Sequence, residues 1–191
     1  MHKLKRYLFL SQAHLFGWLI MSSIFASSVV FTNGGVSNYG NHYTTVPFFT
    51  LAFILGASYL YLAAETLVQL SKRFRFLSRY LVVLCGIMLL VYITTFPRRF
   101  GDVYSDIHDN VSKFLFIYEL FLATWLVAKH HTLQSFVFLF IMIGGSFIGL
   151  LSSLHVLHLM FVGQMIGALG FGLLLVYILP KVIESQLKKH R

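Results

Sequence analysis

Apolar residues fall into six long blocks, 7–31, 46–70, 80–97, 110–128, 135–154 and 156–180, divided by short polar stretches. Each block holds 18 to 25 residues. A helix rises about 1.5 Å per residue and the hydrocarbon core of a bilayer is about 30 Å thick, so about 20 residues suffice to cross it. The pattern predicts an all-α fold: one transmembrane domain over residues 1–191, built as a six-transmembrane-helix bundle. The first block has a basic start and small residues at Ala26, Ser27 and Ser28, as a signal peptide does. Its apolar stretch, however, exceeds the roughly 7–15 residues of a signal h-region. Gln12, His14 and Trp18 fit a packed helix better, so the block is expected to be a retained span.

Composition agrees. Hydrophobic residues make up 58% of the chain and charged residues 11%, too few charges to coat a soluble domain of 191 residues. A formal net charge of +9 raises the question of nucleic acid. The basic residues sit in clusters at the ends of the apolar blocks and form no stripe, so nucleic acid is not expected as a partner. Cys85, the single cysteine, excludes an internal disulfide.

The distribution of lysine and arginine predicts an orientation. One side would hold twelve: Lys3, Lys5, Arg6, Lys72, Arg73, Arg75, Arg79, Lys129, Lys181, Lys188, Lys189 and Arg191. The other would hold Arg98, Arg99 and Lys113. The positive-inside rule then puts both termini in the cytoplasm, with the bundle expected in a plasma membrane. The loops 32–45 and 98–109 and a tight turn near 153–155 would face outward. Pro47 is placed to open the second span, Pro97 to close the third and Pro180 to end the sixth.

Gly145 and Gly149, with Gly144 beside them, form a small-xxx-small pair in the fifth block; Gly163 and Gly167 form another in the sixth, continued by Gly170 and Gly172. Such pairs let helix backbones approach closely in lipid, so the fifth and sixth spans are expected to form a tight antiparallel hairpin.

Ionisable residues within a bilayer are the most informative positions, because each costs about 2.5–3.5 kcal/mol at a helix centre. Most candidates fall on the outward half: Ser37, Asn38 and His42 in the first loop, Asp102, Asp106, His108 and Asp109 around the fourth block, His155 and His158 at the last turn. Glu119 lies deeper, about two turns below the outer surface. With a helix starting near Ile107, His108, Ser112 and Glu119 fall within about 40° of one another at about 100° per residue. His155 and His158 would share a helix face at i, i+3. Gln164 points away from both and is expected to bond elsewhere.

Three readings of this cluster stay open. His108, His155 and His158 would bind a metal, zinc being the natural candidate, with Asp106 or Asp109 as ligand or base. Alternatively Ser37, Asp106, His108, Asp109, Glu119, His155 and His158 would line a pocket for a lipid headgroup or small ligand. Or the cluster is a solvated polar rim. Elsewhere, Glu65 is placed to snorkel or pair with Arg73 or Arg75, with a proton relay to His14 as a second role. The aromatics, 17% of the chain, read as interface anchors. The run Lys188-Lys189-His190-Arg191 is placed to touch anionic lipids of the inner leaflet. No phosphate loop, dinucleotide fingerprint, serine nucleophile elbow or HExxH zinc motif occurs.

Val36-Ser37-Asn38-Tyr39-Gly40 after the first block, Phe96-Pro97 at the end of the third and Asp106-Ile107-His108 opening the fourth together resemble the bacterial membrane family called domain of unknown function 998. More distantly, the chain is similar to the membrane family that includes GPI-lipid-remodelling proteins. Arg98 and Arg99 after the proline depart from that pattern. The resemblance implies a six-span membrane fold and, by analogy, lipid handling. A looser similarity is to membrane-embedded zinc hydrolases of the ceramidase type, which combine Ser, Asp and three His; Ser37, Asp102 or Asp106, His108, His155 and His158 would imitate that set. The two functions expected are therefore lipid or small-ligand binding and, as an alternative, metal-dependent hydrolysis of a lipid.

Overall fold

A computed structural model describes residues 1–30 and 35–188. Six long helices carry the fold: α1 (His2–Phe25), α2 (Val46–Leu70), α3 (Arg75–Thr95), α4 (Asp102–Lys129), α5 (Leu133–Ser153) and α6 (Met160–Lys188). All six are long and apolar enough to cross a membrane, so the chain is a multi-pass helical membrane protein. Turns of 3₁₀ helix flank α3 at Lys72–Phe74 and Phe96–Phe100, and a single helical turn, Asn38–Asn41, lies in the first long connection.

Several boundaries differ from those expected, each for a local reason. α4 starts at Asp102 rather than near Ile107: Gly101 takes φ 143°, which only glycine adopts freely, and Asp102 then places a carboxylate in the first helical turn. α5 stops at Ser153, and residues 154–159 form a linker rather than a one-step turn. His155 sits there at φ 59°, a left-handed position that breaks the helix. The Val156 and Leu157 N–H groups both donate to the Leu151 carbonyl at 3.0 and 3.3 Å, and Leu159 N–H donates to Ser152 Oγ at 3.2 Å. Pro47 opens α2 and Pro97 lies in the 3₁₀ turn after α3, as expected. Pro180 does not end α6. Proline removes the hydrogen bond to the carbonyl four residues back and crowds it. A π-helical turn over Leu174–Ile178 lies immediately before Pro180, and the helix continues through it.

Consecutive helices α1 to α4 pack side by side, and α6 touches both α1 and α4, which closes the row into a bundle. α6 is the most buried span, packed most closely against α5. α1 and α2 make the other close pair. There α2 presents Ala52, Gly56 and Ala63 to its neighbours, and Ser11 Oγ of α1 donates to the Gly56 carbonyl at 2.8 Å. In lipid no hydrophobic drive separates helix from solvent, so small residues and such hydrogen bonds provide the association. Cys85 of α3 is buried and its Sγ donates to the Ala57 carbonyl of α2 at 3.4 Å.

The glycine seam between α5 and α6 is closer than the sequence pairs imply. A Cβ on Gly145 would strike the Gly167 nitrogen and come within 2.7 Å of the Gly163 carbonyl oxygen. One on Gly163 would strike the Gly149 nitrogen, and one on Gly170 the Met142 nitrogen. Gly149 has room on its own Cβ side, where the nearest atom is Met160 Sδ at 3.9 Å, and Gly144 faces open space. The seam therefore runs through Gly145, Gly163 and Gly170.

The bundle has two ends. The terminal end carries both chain termini; Lys5 Nζ of α1 meets Glu184 of α6 at 2.8 Å, and Lys181 Nζ donates to Gln134 Oε1 of α5 at 2.9 Å. Lys189, His190 and Arg191, on which most of the expected C-terminal lipid contact falls, lie outside the described residues. The distal end carries the connections around residues 35–45, 96–101 and 154–159.

Candidate functional site

At the distal end the first connection folds down onto the helices. Thr45 Oγ1 donates to the Tyr39 carbonyl at 2.6 Å, which fixes the turn Asn38–Asn41. The Tyr39 ring is fully buried and meets Phe161 edge to face, centroids 5.1 Å apart. Gly40 lies so close to α2 and α3 that a Cβ would come within 2.8 Å of the Phe49 ring and 2.5 Å of Thr95 Cγ2. Gln164 of α6 accepts the Val36 N–H at 2.7 Å and holds the connection from the other side. Gln164 thus bonds elsewhere than to the histidines, as the sequence implied. Within Val36-Ser37-Asn38-Tyr39-Gly40, the glycine is what allows this close approach.

That site centres on Arg98. Its Nη1 donates to Ser37 Oγ at 2.7 Å, and its Nη2 stands 3.8 Å from Asp109 Oδ1. The Arg98 side chain is 23% exposed and that of Asp109 51%. A guanidinium has five N–H donors in a fixed fork. Among the described residues, one short bond and one long ion pair leave donors of this fork without a partner. Arg98 is positioned by the 3₁₀ turn Phe96–Phe100, Asp109 by the early start of α4, and Ser37 by the folded connection. Sequence reasoning found Ser37 and Asp109 and missed Arg98, the residue that joins them; the signal was a basic pair on an otherwise base-poor side.

His108 is buried beside this group. Its Nδ1 is 3.1 Å from Thr94 Oγ1 of α3 and its Nε2 is 3.4 Å from Ser112 Oγ. Both ring nitrogens are engaged, so His108 serves as a polar tie between α3 and α4. Arg98 and Asp109 lie within electrostatic reach of it.

The other expected residues separate. Asp106 is exposed on α4. His155 and His158 sit in the non-helical linker, both exposed, so the i, i+3 face expected for them does not exist. Among the described residues no three His, Cys, Asp or Glu side chains form a group able to hold a metal ion, and the set His108, His155 and His158 is not assembled. The residues present therefore do not fit the zinc expected in the metal reading.

Glu119 is half-buried on α4. Eleven residues separate it from His108, about 16 Å along a helix axis, so a shared face does not bring the two side chains together. It lies instead within electrostatic reach of Tyr80 on α3 and makes no hydrogen bond or ion pair among the described residues. Glu65 is exposed and lies within electrostatic reach of Tyr61 one turn earlier. His14 stacks on Tyr59, centroids 5.2 Å apart and planes at 4°. No hydrogen bond or ion pair joins Glu65 to His14 among the described residues. Compared with known proteins, the chain matches no family model, no curated protein and no solved structure.

Proposed function

We propose that this protein binds the anionic group of a lipid or small ligand at its distal end, with Arg98 as the receiving cation. The observation that carries the reading is the partly exposed guanidinium of Arg98, tethered by one short bond to Ser37 and only loosely balanced by Asp109. Arginine in a fixed fork matches carboxylate and phosphate oxygens in two-point geometry. His108, Thr94 and Ser112 form the polar floor beside it. The resemblance of the Val36–Gly40 and Phe96-Pro97 elements to lipid-remodelling proteins supports the same reading by analogy. The asymmetry of lysine and arginine supports a plasma-membrane bundle with both ends of the chain in the cytoplasm, which makes the Arg98 site face outward.

Binding of a short-chain phosphatidic acid, of inorganic phosphate and of acetate to the purified protein in neutral detergent tests this. A charge-assisted hydrogen bond contributes about 1.5–3 kcal/mol, so Arg98→Gln should weaken binding about tenfold or more. Ser37→Ala should weaken it less. Preference for the lipid identifies a headgroup site; equal binding of phosphate identifies a free anion. Unchanged affinity of Arg98→Gln for all three probes sinks the proposal.

A further inference from the structure

A second feature lies on the membrane face, away from Arg98. A groove of about 500 Å³ runs between α1 and α6, with Phe9, Ala13, Phe16 and Ile20 on one wall and Leu169 and Tyr177 on the other. Gln12 is its one amide side chain, packed over Gly172, where a Cβ would come within 2.5 Å of Gln12 Oε1. The Gln12 amide makes no hydrogen bond among the described residues. From Phe9 to Ile20 the groove extends about 16 Å along α1. A groove of that length, apolar but for Gln12 and the Tyr177 hydroxyl, can lay one hydrocarbon chain along α1.

Its mouth is cationic. Lys5 and Arg6 precede Phe9 by four and three residues, so they continue the groove wall of α1 toward the terminal end. Lys5 pairs with Glu184 of α6, while Arg6 is exposed and makes no ion pair among the described residues. A phosphate lying at Arg6 would put its acyl chain along Phe9, Ala13 and Phe16, past the amide of Gln12, which is free to donate to an ester carbonyl.

We infer that the α1–α6 groove seats one acyl chain of an anionic phospholipid from the leaflet at the terminal end, with Arg6 and Lys5 at its phosphate. This stands independently of the Arg98 reading, since the two sites lie at opposite ends and share no residue.

Native mass spectrometry of the detergent-purified protein with added phosphatidylglycerol or phosphatidylcholine tests it. The parent should retain phosphatidylglycerol in preference to phosphatidylcholine. Ala13→Trp fills the groove and should lower retention of both lipids, whereas Phe140→Trp, on an exposed face of α5, should not. Arg6→Gln should keep phosphatidylcholine retention and cut the preference about fivefold, the effect of one basic residue near an anionic headgroup. Equal retention by the parent, Ala13→Trp and Arg6→Gln overturns the inference. So does a dimer that Ala13→Trp abolishes, because a second copy would then cover the groove. The Arg6→Gln arm alters only an exposed side chain, so it decides the matter even where Ala13→Trp folds poorly.

Discussion

The α5–α6 seam and the α3–α4 seam join neighbouring antiparallel helices in different ways. Between α5 and α6 the contact is backbone on backbone, at Gly145, Gly163 and Gly170. Between α3 and α4 it is side chain on side chain. Tyr80 and Tyr118 stack with centroids 4.0 Å apart; the Tyr80 hydroxyl donates to the Tyr118 carbonyl at 2.6 Å, and the Tyr118 hydroxyl donates back to the Tyr80 carbonyl at 3.3 Å. A backbone seam has nothing that can rotate out of the way. A side-chain seam has rotamers and partners to exchange. The first should fail abruptly on substitution and the second by degrees.

The sharpest test of that contrast is Gly163→Leu. Its Cβ has the Gly149 nitrogen and, at 2.8 Å, the Gly145 carbonyl oxygen in its path, and neither can yield without moving a helix. Overpacking of a close interface costs about 1–3 kcal/mol and sometimes more. We expect a large drop in the melting temperature in detergent, together with loss of the monodisperse species on size exclusion. Gly149→Ala, directly across the same seam, should melt close to the parent, because the nearest atom to its Cβ is the flexible end of Met160. Equal behaviour of the two variants would mean that the seam does not run through Gly163.

The α3–α4 side of the comparison predicts a smaller effect. Tyr80→Phe keeps the stacked ring and removes the 2.6 Å bond to the Tyr118 carbonyl. Hydrogen bonds between membrane helices average about 0.6 kcal/mol, so a modest fall in the melting temperature is expected. A double-mutant cycle with Tyr118→Phe should show coupling, since the two hydroxyls cross-link the same two helices. Strict additivity would show that the pair acts through its rings alone.

The smallest effect is expected at the distal cap. The Tyr39 hydroxyl is buried and has no hydrogen-bond partner among the described residues. Burial pushes its phenol up to about 12, against an ordinary value of 10. Tyr39→Phe should leave the melting temperature unchanged or raise it slightly, because an unsatisfied buried hydroxyl is removed without loss of the edge-to-face contact with Phe161. The sign with pH follows from the direction of the shift. The folded state holds the phenol proton more tightly, so this contribution is intact below pH 10 and is lost as pH rises from about 10 toward 12. The parent should therefore lose more stability than Tyr39→Phe over that interval, and parallel losses would show that Tyr39 does not titrate from a buried position.

These regions also show what a sequence can disclose. The six spans were legible because length and hydropathy are nearly sufficient where every backbone polar group must be satisfied within its own helix. The α5–α6 hairpin was legible in Gly145 and Gly163 for the same reason: only glycine permits that approach. The site was legible in pieces. Ser37, His108 and Asp109 stood out as polar residues in an apolar chain, but their grouping depends on the fold of the first connection and the 3₁₀ turn at Phe96–Phe100, which no periodicity encodes. Arg98 was visible as a residue and invisible as a centre. His155 and His158 misled because the i, i+3 rule presumes a helix, and His155 is where the helix breaks. Glu119 misled because angular alignment with His108 says nothing about 16 Å of axial separation.

The π turn over Leu174–Ile178 has a consequence for the phase of α6. A π turn is an α turn with one residue too many, so the segments before and after it are offset by about 100° from a continuous helical wheel. Leu179, Val182 and Ile183 face inward, and Glu184 reaches Lys5, only in that offset phase. Removing a single residue between 174 and 178 would restore an unbroken α-helix and shorten the chain by almost nothing. It would also turn the ten residues Leu179–Lys188 by more than a quarter of a circle, carry Glu184 away from Lys5, and press Pro180 against a carbonyl that no longer bends aside. In this helix the surplus residue sets the direction in which the charged end of the chain looks.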